Sequence, residues 1–386
     1  MSLAKPMGGK IFTPGFNTLL AIGGLGCAIL LWRFFVGLGP VTGMNDGYPW
    51  GIWIAFDVVT GTAIACGGYA MALMVYIFNK GKYHPFVRPA LLTTALGYTI
   101  AGVSVFVDIG RWWNVWNMAL PWKYNLTSVL LEVALCIMTY MVVAWVEVSH
   151  SIVEKWEHEA KFPWLVKSSR WWAPKLEKSL PFLIALGILL PTMHQSSLGS
   201  LFLISTKLHP LWHTRLLPLL YLVSVIGMGY AGVVLESTMS GFAFKLPSEW
   251  HLLGKLSKAI SVSFFIYLAI RLGALALNGF PGFGFNGLSI MFLLEIALFA
   301  IPAVILVQEK NRRNPGMVFA AAVLGLLAGG LYRFDTYLVA WDPGPTWHYF
   351  PSIPETMVTI GFIALEMAAY VLVVKLFPIL RPRTNP

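Results

Sequence analysis

Apolar residues run through this chain in long unbroken stretches separated by short polar connections. About 20 consecutive apolar residues cross a bilayer as a helix. Ten such stretches occur, at 16–39, 50–79, 89–112, 125–148, 179–204, 215–240, 257–278, 285–308, 315–341 and 354–377. Membrane barrel strands alternate apolar and polar positions, so continuous stretches exclude a β-barrel. The pattern predicts an all-α, polytopic integral membrane protein, a single transmembrane domain over residues 1–386. Two segments look alike: LTSVLLEVAL around Glu132 in span four and LSIMFLLEIAL around Glu295 in span eight. A four-helix unit used twice produces such a repeat, giving two four-helix bundles plus flanking helices. Leucine-rich helices also match by chance.

The connections differ by side. Most of the 27 Lys and Arg fall in alternate connections, among them Lys80, Lys82, Arg88, Lys161, Arg170, Lys255, Lys310, Arg312, Arg381 and Arg383. The other set carries only Arg111, Lys123, Lys207 and Arg215. Cytoplasmic loops are enriched in Lys and Arg, which places both termini in the cytoplasm; the expected location is the cytoplasmic membrane of a bacterium or archaeon. The longest basic connection, 149–178, mixes Glu154, Glu157 and Glu159 with Lys and the pair Trp171–Trp172, and reads as an amphipathic cytoplasmic loop. The opposite connections are rich in Gly, Pro and aromatics. They form either an interfacial aromatic belt or a docking surface for an outside partner.

Composition agrees. Only 11% of residues are charged, against about 25% in soluble domains. The net charge of +10 sits in the connections, so it marks membrane topology and not nucleic-acid binding. Cys27, Cys66 and Cys136 are too few for an iron–sulfur cluster, which needs about four thiolates. The first apolar stretch is too long for the core of a cleavable signal peptide.

Ionisable residues within spans cost roughly 2.5–3.5 kcal/mol each on insertion scales, so they are functional candidates. The alternative is a buried pair that locks helices together. Topology places Asp57, Asp108, Arg111, Glu132, His194, Arg271, Arg333 and Asp335 at one outer depth. Asp108 and Arg111 are three apart and can share a helix face. Glu295 and Glu366 fall near mid-membrane and Glu236 near the inner end of span six. These three can form a proton path to the outer site, or simply pack helices. In PTMHQSSLGS, Pro191 frees a backbone carbonyl, and His194, Gln195, Ser196 and Ser197 follow with donors and acceptors. An imidazole titrates near neutral pH, which suits proton exchange with a quinone oxygen. Of eight histidines only His194 lies clearly within a span, so no haem is expected.

GYPWGIWIAFD (47–57), ACGGYA (65–70), FNKGKYHPFVRPALL (78–92), DIGRWWN (108–114) and LPTMHQSSLGS (190–200) resemble the hydrogenase-linked members of the polysulfide reductase/NrfD family. The resemblance covers nearly the whole chain. It implies a haem-free membrane anchor with an outer-side site for menaquinone or ubiquinone, active only within a complex. It implies a ferredoxin-like iron–sulfur partner outside the membrane, leading to a hydrogenase, a multihaem cytochrome or another redox catalytic subunit. The expected quinone site is Trp53, Asp57, Asp108, Arg111, Glu132, His194 and Gln195, with His194, Asp57 and Glu132 handling protons. Glu295, Glu366 and Glu236 form the expected proton path. A secondary transporter or proton channel is the alternative, since intramembrane acids and glycine-interrupted helices suit that class too.

Overall fold

The computed structural model describes residues 4–246 and 249–381; Arg383, one of the basic residues assigned above, lies outside them. Among the described residues, ten helical spans are long and apolar enough to cross a membrane. They are α1 (Pro14–Val36), α2 (Trp53–Ile77), α3 (Gly81–Asp108), α4 (Val129–Glu159), α5 (Pro163–Ser200), α6 (Leu217–Phe244), α7 (Trp250–Leu277), α8 (Gly287–Val307), α9 (Pro315–Val339) and α10 (Ile353–Leu376). Their number and apolarity follow from the stretches described above. The described residues hold no β-strand beyond an isolated bridge between Leu208 and Trp341.

Spans α2–α5 pack together as one four-helix group and α6–α9 as a second. The pair α1 and α10 clamps onto α3 and the start of α2. Within their apolar windows α2 and α6 are each 72% buried while α1 is 22% buried. The first two therefore form the central spine and α1 faces lipid. The α1–α10 seam depends on glycine. A Cβ on Gly361 would lie 2.9 Å from the Gly26 Cα, so the backbones touch as small-residue membrane interfaces do. Gly361→Leu is expected to separate α1 from α10 and destabilise the protein by about 1–3 kcal/mol, the usual range for overpacking. Thermal unfolding in detergent measures this. Gly24→Leu, at a position with nothing within 4 Å, should leave it unchanged.

Span α2 is not a plain helix. It opens with a π-helical stretch, Trp53–Thr60, passes through short α-helical turns, breaks at Cys66, and closes with a second π stretch, Leu73–Ile77. The break is repaired from the neighbouring span. Thr94 Oγ1 accepts the Gly68 N–H at 3.0 Å and donates to the Ala65 carbonyl. Span α6 leans on the same point, because a Cβ on Gly229 would lie 2.6 Å from the Cys66 oxygen.

The connection 149–178 is helical almost throughout and not a loop. Helix α4 continues to Glu159 and α5 begins at Pro163, leaving a turn of only three residues. The segment is full of Glu, Lys and Trp with no breaker before Phe162–Pro163, and proline is well suited to a first helical turn. At 1.5 Å per residue the two helices are roughly 46 and 57 Å long, against a hydrocarbon core of about 30 Å. Pro174, Pro181 and Pro191 all lie inside α5, so Pro191 does not end the helix before His194.

Candidate functional site

The buried polar side chains gather in separate clusters rather than in one. The first lies among α1, α2, α3 and α10, beneath the aromatic connections. The π stretch of α2 sets Asp57 against α10, where its Oδ2 accepts from Thr359 at 3.0 Å. Trp53, fully buried, donates its indole N–H to the Glu355 carbonyl at 3.0 Å. Glu355 begins α10 in a capping box with Ser352, and its carboxylate also accepts from Tyr349 at 2.6 Å and from the Gly43 N–H at 2.9 Å. Burial, and then its bond to Glu355, hold the Tyr349 hydroxyl well above the ordinary tyrosine range, so it remains a donor. Arg33 reaches in from α1, donating to the Ile109 carbonyl at 2.6 Å beside Asp108. Three polar atoms here are buried without a hydrogen-bond partner: Arg33 Nε, Ser104 Oγ and Asp108 Oδ1.

A second cluster joins the two helix groups. His194 is fully buried. Its Nδ1 faces the Leu190 carbonyl at 2.8 Å, which can only accept, so Nδ1 carries the hydrogen. Its Nε2 is then the acceptor, facing the Tyr98 hydroxyl at 2.9 Å and the Gln195 amide nitrogen at 3.1 Å. With the Tyr98 proton directed at His194, the Cys66 thiol is left to donate to the Tyr98 oxygen, at 3.3 Å. Gln195 also donates to Thr62 at 3.0 Å and accepts from Arg333 at 3.3 Å. Arg333 is fully buried, bonds otherwise to backbone carbonyls, Ser224 and Met228, and has no ion-pair partner among the described residues.

A third cluster lies in the second helix group. Glu295 is fully buried and accepts from Tyr267 at 2.7 Å, Trp212 at 2.7 Å and Arg271 at 3.3 Å. Asp335, in a π stretch that ends α9, lies within hydrogen-bonding reach of Glu295. On the face that carries both termini, Glu236 accepts from Ser240 at 2.9 Å and from Tyr370. Glu236 and Ser240 line a cavity of about 170 Å³ together with Trp250, Leu253 and Arg381.

The structure thus brings Trp53, Asp57 and Asp108 together, and separately His194 and Gln195. Arg111 joins neither group. Helix α3 ends at Asp108, so the expected three-residue pairing has no helix to support it, and Arg111 is exposed. Arg33 occupies the place beside Asp108 instead. Glu132 is also exposed, accepting from Ser197 at 2.8 Å, and the matching Glu295 is buried, so the two halves of the faint repeat differ at that position. Glu366 faces Gly97, with its Oε1 3.4 Å from where a Cβ there would sit; Glu295 stands apart from it in the second helix group. Sequence reasoning missed Arg33, Tyr98 and Glu355 as site residues. A buried tyrosine carries no formal charge to flag it. Glu355 was legible through Ser352, because the S-x-x-E spacing marks a capping box.

Acids, arginines and a histidine buried among membrane-spanning helices are candidates for handling protons, ions or electrons. The chain belongs to the polysulphide reductase NrfD family, whose model matches residues 40–339. It is 40% identical over 388 residues to the probable Ni/Fe-hydrogenase 2 b-type cytochrome subunit of Escherichia coli (strain K12), covering 98% of this chain and 95% of that protein. It is 25% identical over 373 residues to the menaquinone reductase integral membrane subunit of Nitratidesulfovibrio vulgaris, covering 89% of this chain and 86% of that one. The Hdr-like menaquinol oxidoreductase integral membrane subunit of Archaeoglobus fulgidus is 23% identical over 377 residues, covering 89% of this chain and 88% of that one. One of these relatives is thus named as a hydrogenase subunit, and two as integral membrane subunits of enzymes that act on menaquinone or menaquinol.

The expectation of a haem-free chain is corrected by this comparison. The Escherichia coli relative is named a b-type cytochrome subunit, which implies haem. Haem iron takes an axial ligand such as an imidazole nitrogen. His194 has both nitrogens committed within the chain. His150, in α4, has both nitrogens buried and unpartnered, but no second buried histidine faces it among the described residues. The residues do not fit a haem held between two histidines, and no step below passes through one.

Proposed function

We propose that this chain is the quinone-reacting membrane subunit of a multi-subunit redox complex, and that the head group is received in the first cluster, among Trp53, Asp57 and Asp108. The observation that carries this reading is the group of unpartnered atoms there, Arg33 Nε, Ser104 Oγ and Asp108 Oδ1. Buried polar groups are normally hydrogen-bonded, so two donors and an acceptor left open in one place point to a polar ligand. A bound quinone supplies two-electron redox chemistry. Arg33 and Ser104 offer N–H and O–H donors to its oxygens, Trp53 shapes the wall, and Asp57 and Asp108 hold or release protons. His194 acts at one remove, through the Tyr98 and Gln195 network.

Electrons come from an iron–sulfur partner of the hydrogenase type, docked on the aromatic connections. That face is external in this reading, with both termini in the cytoplasm of a bacterial or archaeal membrane. Protons reach the cluster along α10. Glu355, Thr359, Glu366 and Tyr370 recur at helical spacing on that span, and Tyr370 meets Glu236 beside the cavity on the terminal face. Purification in mild detergent tests the function. An iron–sulfur subunit and a quinone should co-purify, and reporter fusions at 80–88 should read cytoplasmic and at 342–353 external. A chain that purifies alone and moves an ion or solute in vesicles would instead be a transporter, a class that the broken helix α2 also suits.

A further inference from the structure

The third cluster plays no part in the reading above. It holds two carboxyl groups, Glu295 and Asp335, both fully buried, and one cation within ion-pair distance, Arg271. Two carboxylates that share a buried site cannot both ionise. Hydrogen bonds decide which keeps its charge. Glu295 receives three donors, from Tyr267, Trp212 and Arg271, and these favour the carboxylate. Asp335 receives none, and both its oxygens are buried without a partner. A carboxylate in that position would be unsatisfied on every lone pair, whereas a carboxylic acid can donate its O–H to Glu295. Two further groups are left open around it, Arg271 Nη2 and the Tyr332 hydroxyl, both buried. Complementary donors and acceptors that remain unmatched in one buried place are where ordered water belongs.

From these observations we infer that Glu295 and Asp335 form a proton-holding site in the second helix group. Asp335 carries the proton and donates it to the Glu295 carboxylate, and water bridging Arg271 and Tyr332 exchanges it. The ligand is a proton with its hydrating water. The charged and titratable groups that face the pair are Arg271 and Tyr267 from α7, Tyr332 from α9 and, behind Tyr332, Tyr221 from α6. Arg271 balances Glu295, so the loaded site is neutral; loss of the proton leaves one net negative charge.

The site lies apart from the quinone cluster, so the inference stands or falls without it. The test is infrared spectroscopy of the full-length protein in lipid, with quinone removed. A protonated-carboxyl C=O band should shift in D2O, disappear in Asp335→Asn, and persist in a control variant of an exposed acid, Glu309→Gln. Glu295→Gln should also remove the band, because Arg271 is then left without its counter-charge and Asp335 should ionise beside it; this arm serves if Asp335→Asn does not fold. The inference is overturned if no D2O-sensitive band is lost in Asp335→Asn, or if Glu295→Gln leaves every band where it was. Failure of quinone binding in any variant would bear on the first cluster and not on this one.

Discussion

Arg271→Ala is expected to remove most of the folded protein, and a second substitution at Glu295 is expected to restore much of it. Arg271 and Glu295 are 2% and 0% exposed and 3.3 Å apart. Removing one partner of a buried pair typically costs about 3–5 kcal/mol, because the other is left as an uncompensated charge. Arg271 also donates to the Leu211 carbonyl at 2.8 Å, so the variant frees a backbone acceptor in the connection before α6. Arg271→Met with Glu295→Gln removes both charges at nearly constant volume. Yield and thermal unfolding in detergent should place the double variant well above Arg271→Ala. A double variant as unstable as the single would mean that Glu295 is not the charge that Arg271 balances.

The second large effect is on turnover. Asp57→Asn keeps the shape of the side chain and its contact with Thr359 but removes its exchangeable proton. General acid–base groups contribute about a hundredfold to ten-thousandfold to rate, and quinone turnover should fall by a factor in that range. Assembly with the partner subunits should survive, and so should activity with a soluble dye that bypasses the membrane subunit. Glu366→Gln, further along α10, should lower proton coupling more than quinone binding. Near-normal quinone turnover in an assembled Asp57→Asn complex would make the first cluster structural.

The sequence makes the spans legible because bilayer crossing imposes a crude demand, about 20 apolar residues in a row. Hydrophobic stretches do not mark where helices end in water, so α4 and α5 outrun the stretches that announce them. That charged residues within spans lie inside the helix bundle was legible, too, as the buried Asp57, Arg271 and Asp335 illustrate. Facing was not. Asp57 and His194, expected at one depth, belong to different networks, and Arg111 leaves its helix altogether. Which way a side chain points depends on helix rotation, and on α2 and α9 that rotation is altered by π turns that no residue type announces. Arg33 was visible as a charge in span one, but only the seam between α1, α3 and α10 shows what it touches.

Those π turns have a consequence for the gene. A π stretch is an α-helix carrying a surplus residue, its hydrogen bonds reaching five positions back where an α-helix reaches four. Deleting one residue from Trp53–Thr60 would let the stretch relax to ordinary helix with its two flanks in nearly the same relative orientation, because the wider turns already absorb the surplus residue. A one-residue deletion here should therefore disturb the packing of the two flanks less than the same deletion in the regular helix of α3, where it would turn one flank by about 100° against the other.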